Sequence, residues 1–406
     1  MASGRSSMMN RRAVLSLSSV AIATSVAGCT GLRTRLRELR LGKPVRRVAA
    51  DWQPAPGQWP MDGYDHARTK SNPFATPPRT EPEPAWTYDE SGGVDSLVVI
   101  DGTVFVRTES ALAAVDATDG SERWRRPRDG SGSLKYVAGR LYDIRDHSLR
   151  ALDPDGTEQW STALDEAYYF LLERDGWVML CARDSVIRLH ADTGDVVSEA
   201  ERDAYGPATD GGLVYAGKFD VSAFEFEDGE FVTQWTADDE EAYESAASVV
   251  YSGDRLYRVE RTFPSRESIR LTVYDATDGS QLTTVPFDRT PLSPAADGNS
   301  VYVSSSILTA GSVGADGRLV ALSEDGDERW RFDPGAGLRS PVVADGTVYV
   351  GPFANDRVPL VAFDAATGEE LWRREVPGTP ELAVAGDTLY VGTSDGVHAL
   401  REASQP

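Results

Sequence analysis

The sequence predicts an all-β protein, a β-propeller of eight four-stranded antiparallel blades. Three observations predict it. An Asp-Gly hairpin phrase recurs eight times, a second Gly turn is followed by Trp in most copies, and an incomplete period stands at each end of the array. The third and fourth copies of the phrase are the weakest, so a seven-bladed ring is the alternative.

The hairpin phrase predicts the first two strands of each blade. In the clearest copy, Val342-Val343 leads to Asp345-Gly346 and then to Val348-Tyr349-Val350, the pattern of a strand, a tight turn and a strand. Glycine supplies the positive φ that such a turn needs. The eight copies are centred on Phe105, Tyr142, Met179, Tyr215, Tyr257, Tyr302, Tyr349 and Tyr390. Successive centres are 37, 37, 36, 42, 45, 47 and 41 residues apart, so the longer steps predict loop insertions.

A second turn predicts the third and fourth strands. In the clearest copy, Leu360 to Asp364 forms the third strand, and the fourth begins near Leu371. The turn glycines of the copies are Gly120, Gly156, Gly194, Gly279, Gly326 and Gly368. Tryptophans follow most of these turns, at Trp124, Trp160, Trp330 and Trp372, and one further Trp, Trp235, stands six residues after Gly229. A Trp ring buries about 150–250 Å² and its N–H needs an acceptor, so a recurring Trp suits the junction between blades; plain core packing is the alternative.

The two ends of the array predict how the ring closes. Trp86 ends a period that has no beginning, and the last period, Leu382 to Leu400, has no Trp strand. Joining the two completes one blade. Closure of this kind removes the exposed edges that an open array of sheets would leave.

The composition is strongly acidic, with a formal net charge of −23. Residues 1–50 carry ten bases and one acid, so the remaining chain has a balance of −32. Only four of the bases in the whole chain are lysines. A carboxylate-rich, lysine-poor surface resembles the proteins of salt-loving archaea, which work where the Debye length is only about 3 Å. It also argues against nucleic-acid binding, which needs a basic face.

The N-terminus predicts export. An uncharged stretch of fifteen residues, 13–27, follows Arg11 and Arg12. It is shorter than the roughly 20 residues that span a bilayer, so residues 1–28 are interpreted as a signal peptide. The adjacent Arg11 and Arg12 resemble a twin-arginine export signal.

The end of this leader predicts a lipid anchor. Val26-Ala-Gly-Cys29 resembles a lipobox, which implies that Cys29 becomes a lipidated N-terminus at the extracytoplasmic face of the membrane. The alternative is that Cys29 is an incidental thiol in a discarded leader. Residues 29–58, which are basic, are expected to form a partly disordered tether before the propeller, 59–406.

The residues themselves predict no catalytic, metal-binding or cofactor-binding site. The four histidines, at 66, 147, 190 and 398, fall at unrelated positions of the repeat and lack metal-ligand spacing. Asp-rich turns such as Asp153 to Gly156 occupy the turn position of the repeat and lack the twelve-residue calcium loop. Cys181 is expected to be a small buried hydrophobe.

The repeat resembles that of pyrroloquinoline-quinone-like propellers. The resemblance rests on the period Val-x-Asp-Gly-x-Val-Tyr-Val followed by Leu-x-Ala-Leu-Asp-x-x-Thr-Gly-x-x-x-Trp, and covers about residues 59–400. Trp59-Pro60, Gly63, Asp65 and Thr69 also resemble the Trp-Pro-x-x-Gly-x-Asp-x-x-x-Thr lead-in that often precedes such propellers. The family includes quinoprotein alcohol dehydrogenases and non-catalytic BamB-like lipoproteins. The dehydrogenases pair a quinone with Ca²⁺, stack it on Trp against adjacent cysteines and use an Asp as base, whereas this chain has no Cys-Cys pair.

The resemblance therefore implies a non-enzymatic, lipid-anchored scaffold without a cofactor, monomeric, and binding an unidentified protein or cell-surface ligand. The alternative is a divergent quinoprotein dehydrogenase or a polysaccharide-active propeller enzyme. Partner contacts are expected in the longest insertions, 259–270, 304–316 and 353–358, with Phe263, Arg266 and Phe353 as candidates.

Overall fold

The computed structural model describes residues 54–403 except 146, 166–169, 175, 183, 228–229, 238–242, 246–247, 263–267, 310–311 and 354–358. These residues belong to one compact unit, Pro44–Pro406. Arg11, Arg12 and Cys29 lie outside the described residues, as do Phe263 and Arg266. No helix long and apolar enough to cross a membrane occurs in the described part of the chain.

The described chain is built from short strands. Two precede the first complete blade: β1 (Ser71–Asn72) and β2 (Pro82–Asp89). Blade 1 consists of β3 (Val94–Ile100), β4 (Thr103–Thr108), β5 (Ala111–Asp116) and β6 (Glu122–Pro127). Blade 2 consists of β7 (Ser133–Val137), β8 (Arg140–Arg145), β9 (Ser148–Leu152) and β10 (Glu158–Ala163). Blade 3 consists of β11 (Phe170–Arg174), β12 (Trp177–Cys181), β13 (Ser185–His190) and β14 (Val196–Glu201). Blade 4 consists of β15 (Ala208–Thr209), β16 (Leu213–Ala216), β17 (Ser222–Glu227) and β18 (Glu230–Thr236).

The second half of the ring has the same plan. Blade 5 consists of β19 (Tyr243–Ser245), β20 (Val250–Ser252), β21 (Arg255–Thr262), β22 (Ile269–Asp275) and β23 (Gln281–Phe287). Blade 6 consists of β24 (Thr290–Pro291), β25 (Ala295–Ala296), β26 (Ser300–Thr309), β27 (Ser312–Ser323) and β28 (Glu328–Phe332). Blade 7 consists of β29 (Val342–Ala344), β30 (Thr347–Val350), β31 (Leu360–Asp364) and β32 (Glu370–Arg374). Blade 8 consists of β33 (Glu381–Ala385), β34 (Thr388–Gly392), β35 (Gly396–Glu402) and β2.

The eight sheets form a ring, which confirms the predicted eight-bladed propeller. β2 pairs antiparallel with β35, and Trp86 stands opposite Ala399. The N-terminal strand therefore closes the ring, as predicted. The weak third and fourth copies of the phrase form complete blades of their own.

The strand order defines two faces of the ring. The first strand of each blade is counted as the innermost one, which is split into β19 and β20 in blade 5 and into β24 and β25 in blade 6. The innermost strands of most neighbouring blades contact one another, so they line the central axis. Because the strands of a blade alternate in direction, the Gly turns after the first and third strands share one face, here called the turn face. The connections after the second strand and between blades lie on the opposite face, here called the loop face.

The recurring tryptophans lie at the junctions between blades. The indole Nε1 of each donates to a carbonyl outside its own repeat, at 2.8–3.2 Å: Trp86 to Ala117, Trp124 to Pro154, Trp160 to Ala191, Trp235 to Ala276, Trp330 to Ala365 and Trp372 to Pro78. Five of these rings also cover the turn glycine of the following blade. They pair as Trp86 with Gly120, Trp124 with Gly156, Trp160 with Gly194, Trp235 with Gly279 and Trp330 with Gly368.

These turn glycines are required by space as well as by backbone conformation. Gly194 has a φ of 74°, and a Cβ added to it would lie 2.4 Å from the Trp160 ring. At Gly326 the neighbouring blade has no Trp, and the side chains of Thr283 and Val285 occupy the equivalent space. The repeat therefore couples a turn in one blade to an aromatic side chain of the blade before it.

Candidate functional site: the axial plug and cavity

The lead-in segment, residues 59–76, runs inside the ring along the inner strands of successive blades and is here called the axial plug. Trp59 exchanges two backbone hydrogen bonds with Val99 of β3, both 2.8 Å long. The Pro60 carbonyl accepts from the amide of Tyr136 in blade 2, at 2.7 Å. The plug thus begins by pairing with the innermost strands of blades 1 and 2.

The rest of the plug bonds to the other side of the ring. Its carbonyls accept backbone amides from blades 4 to 7: His66 from Thr209, Ala67 from Tyr251, Thr69 from Ala296 and Lys70 from Val343, at 2.8–3.0 Å. β1 pairs in parallel with β29, and the amide of Thr76 donates to Gly386 in blade 8. In the described part of the chain the plug is therefore hydrogen-bonded to seven of the eight blades.

The lead-in motif shapes the plug. The Asp65 carboxylate accepts bonds from the amide and the hydroxyl of Thr69, both at 2.9 Å. Gly63 has a φ of 89°, and its carbonyl accepts the amide of Lys70 at 2.9 Å. Tyr64, Arg68 and Lys70 also have positive φ, of 71°, 62° and 51°. Such backbone strain persists only where the surroundings enforce it and is concentrated at functional sites.

A cavity of about 270 Å³ lies on the loop-face side of the plug. The plug supplies its floor with Trp59, Asp62, Gly63, Arg68 and Lys70. Its walls come mainly from the chain entering the innermost strands of blades 6, 7 and 8: Leu292, Ser293, Arg339, Ser340, Val342, Pro380, Glu381 and Leu382. Phe353, from the insertion in blade 7, completes the wall.

Cations outnumber carboxylates around this cavity. Asp62 lies 3.7 Å from both the Lys70 ammonium and the Arg68 guanidinium, and Arg339 pairs with Glu381 at 2.7 Å. Attraction to Lys70 is the main cause that holds the pKa of the Asp62 carboxyl well below its ordinary value. Arg68, Lys135 and Arg339 act in the same direction, and desolvation opposes them. Three cations and two carboxylates line the cavity, so the local charge is positive in a protein of net charge −23.

Burial changes the ionisation of the groups beneath the cavity. Burial and repulsion from Arg68 lower the pKa of Lys135 to about 8. Burial and repulsion from Lys135 and Arg68 lower the pKa of His66 to about 3. His66 is therefore neutral near pH 7. Desolvation raises the pKa of Asp65 to about 6, although the hydrogen bonds from Thr69 oppose it. Desolvation likewise raises the pKa of Glu381, against the attraction of Arg339.

The predicted insertions share one face. All three lie between the second and third strands, in the consecutive blades 5, 6 and 7, so they are neighbours on the loop face. The first two were predicted as loops, but β21, β22, β26 and β27 extend through much of them, so they are lengthened hairpins. Phe353 is the one candidate contact residue of the three that is described, and it lines the cavity. The insertions therefore border the side of the ring on which the cavity lies.

Two residues considered from the sequence, His190 and Cys181, lie in blade 3 and do not line the cavity. The Trp177 ring packs against the Arg188 guanidinium at 4.7 Å and His190 at 5.4 Å, within blade 3. Cys181 is buried, and burial raises the pKa of its thiol to about 12. Among the described residues, no group of three or more His, Cys, Asp or Glu side chains is arranged to hold a metal ion.

The sequence did not single out Arg68, Lys70, Arg339 or Glu381. One signal was present, since the chain has only four lysines and two of them, Lys70 and Lys135, converge on the plug. Arg339 and Glu381 lie about 270 and 310 residues further along the chain, and only the ring brings them to the same cavity.

Comparison with known proteins identifies the family. The model of the family described as outer membrane protein assembly factor BamB matches residues 76–200, 145–306 and 268–404, which together span most of the chain. The chain belongs to the BamB family. The matched ranges contain all eight blades, while the plug lies almost entirely before them. A comparison with curated proteins gave no match.

Solved structures share the BamB-type fold with this chain at low identity. BamB from Moraxella catarrhalis is 16% identical, with a TM-score of 0.61, over 79% of this chain and 99% of that one. Quinohemoprotein alcohol dehydrogenase from Comamonas testosteroni is 16% identical, with a TM-score of 0.62, over 94% and 85%. Sqt1 from Saccharomyces cerevisiae is 10% identical, with a TM-score of 0.60, over 80% and 100%. At these identities the likeness concerns the fold alone.

The residues of the cavity do not fit the quinone and Ca²⁺ pair of the dehydrogenases. Ca²⁺ needs several oxygen ligands, with carboxylates supplying the charge. Here Asp62 faces two cations and Glu381 is paired with a third, so a divalent cation would meet a local excess of positive charge. The chain has only two cysteines, Cys29 and Cys181, so it cannot supply the adjacent pair either.

Proposed function

We propose that this BamB-family chain is a non-catalytic binding or assembly scaffold, exported and held by a lipid at the outer face of the cell membrane. The observation that carries the proposal is the axial plug. The inner strands of the ring are bridged by the protein's own backbone, which is hydrogen-bonded to seven blades in the described residues. The closed ring then acts as a rigid support for its loop face.

The loop face is the proposed partner surface. The insertions of blades 5, 6 and 7 are neighbours there, and loops held by a rigid scaffold are where propellers carry their binding residues. The match to a solved BamB structure covers 99% of that BamB chain. The family model that matches this chain is described as an outer membrane protein assembly factor. Both facts support a role in binding other proteins.

The partner surface can be tested by photo-crosslinking in intact cells. A crosslinking amino acid at Ser268, an exposed residue beside the blade 5 insertion, is expected to capture a defined protein. The matched control is Asp278, which is exposed on a turn of the same blade but on the turn face. Equal capture from both positions would contradict the loop face as the docking surface.

Alcohol-dependent dye reduction by purified protein supplied with quinone and Ca²⁺ would contradict a non-catalytic role.

The anchor can be tested at Cys29. Cys29→Ala is expected to move most of the protein from the membrane fraction to the medium. Without the thiol no lipid can be attached, so the chain loses its membrane anchor. Fractionation and immunoblotting measure the distribution. Thr34→Ala, in the same tether, is the control and is expected to leave the protein in the membrane. Retention of the Cys29→Ala protein there would rule out this anchor.

A further inference from the structure

The cavity above the plug differs in charge from the rest of the protein. The chain has 64 acids and 41 bases, yet three bases, Arg68, Lys70 and Arg339, line the cavity against two acids, Asp62 and Glu381. Partly desolvated charges interact more strongly than exposed ones. An anion entering this cavity would therefore be attracted, although the protein surface as a whole repels it.

Two of the cations have unused hydrogen-bonding capacity. Lys70 is 9% exposed, and the nearest carboxylate oxygen, on Asp62, is 3.7 Å from its ammonium, beyond hydrogen-bond range. The Nη2 of Arg68 is likewise 3.7 Å from Asp62. An anion placed between these two head groups would accept the hydrogen bonds that Asp62 does not.

The lining of the cavity is mixed, and polar groups make up more of it than apolar ones. Its apolar residues include Trp59, Leu292, Val342, Leu382 and Phe353. In a small ligand site the charged and polar groups fix the orientation of the ligand, and the apolar residues contact its body. The volume of about 270 Å³ suits a compact molecule and not a polymer.

We propose that the cavity binds a compact organic anion. Its carboxylate or phosphate group lies between Lys70 and Arg68, and its apolar body packs against Trp59 and Leu382. Asp62 competes for the same two cations. Its side chain is 58% exposed and is held by two contacts of 3.7 Å, so it leaves the cations open to a ligand. The site is independent of the proposed export and scaffold role.

Calorimetric titration of the purified full-length protein tests the proposal. Benzoate and phenyl phosphate are the anionic probes, and benzamide is the uncharged one. We expect saturable binding of at least one anion, with benzamide at least about tenfold weaker, since hydrogen bonds to an ionised group are stronger than those to a neutral one. Binding of benzoate alone would assign a carboxylate site, and binding of phenyl phosphate alone a phosphate site.

Three substitutions sharpen the test. Lys70→Met is expected to weaken binding of the anion about tenfold or more, and Asp62→Asn is expected to strengthen it, because it removes the competing charge. Lys218→Met, which removes a lysine from blade 4, changes the net charge equally and is expected to have no effect. If Lys70→Met does not fold, the gain in affinity with Asp62→Asn decides. Absence of saturable binding to either anion, equal affinity for benzamide, or unchanged affinity in both cavity variants would overturn the proposal.

Discussion

Trp372→Ala is expected to lower the free energy of unfolding by about 3–5 kcal/mol. The side chain is 4% exposed and packs on Tyr349, with ring centroids 5.8 Å apart. Its indole Nε1 donates to the Pro78 carbonyl at 2.9 Å, in the segment that leads into β2. Truncation would therefore leave a cavity and loosen the segment that delivers the closing strand of blade 8. Denaturant unfolding followed by circular dichroism measures the change.

Trp124 provides the matched control. It occupies the same position of the repeat in blade 1, but its ring is only partly buried and its hydrogen bond to Pro154 is exposed. Trp124→Ala is expected to cost clearly less than Trp372→Ala, because less apolar surface returns to water. A loss below about 1 kcal/mol for Trp372→Ala would contradict its role at the closure of the ring.

Glu260→Gln is the second substitution with a large expected effect, a loss of about 3–5 kcal/mol. Glu260 is fully buried in blade 5. One carboxylate oxygen accepts from Arg258 at 3.0 Å and the Tyr274 hydroxyl at 2.7 Å; the other accepts from Arg270 at 2.8 Å and the Thr272 hydroxyl at 2.6 Å. The NH₂ group of a glutamine side chain would face groups that are themselves hydrogen-bond donors.

The cost arises mainly from the charge that remains. Arg258 is also fully buried, and its guanidinium donates to the Lys218 carbonyl of blade 4 at 2.9 Å. Without Glu260 this guanidinium loses its nearest buried counter-charge at the junction of two blades. Denaturant unfolding again measures the effect.

Glu328→Gln serves as the comparison for Glu260→Gln. Glu328 pairs with Arg331 on the outermost strand of blade 6, where both side chains are more than a third exposed. Exposed pairs contribute about 0–1 kcal/mol, so this substitution is expected to have little effect. If both glutamate variants were equally stable, burial of the Glu260 network would not be what stabilises this junction.

The repeat could be predicted from the sequence because its determinants are local. A strand, an Asp-Gly turn and a second strand lie within about a dozen residues, and antiparallel pairing follows from the turn. Even the weak copies near Met179 and Tyr215 became blades, since β12 and β16 retain buried apolar residues. Trp86 indicated the closing strand because it ends an incomplete period, and the missing part of that period occurs only at the other end of the array.

The candidate site could not be predicted in the same way. The lead-in motif named Trp59, Gly63, Asp65 and Thr69, but nothing in its spacing indicates that the segment runs inside the ring. Its partners on the innermost strands, from Val99 to Gly386, are spread over almost the entire propeller. Hydrogen bonds to backbone amides and carbonyls leave no trace in side-chain identity, so the sequence carries no signal for them.

The sequence by itself determined the repeat, the strand that closes the ring and the positions of the insertions, because turns and strand pairing depend on residues close together in the chain. Only the tertiary structure decided between eight blades and seven, placed the lead-in inside the ring, and brought Lys70 and Arg68 to Arg339 and Glu381 around one cavity. Closure of a ring brings distant segments to a common centre, and the charge that collects there depends on the path of the whole chain.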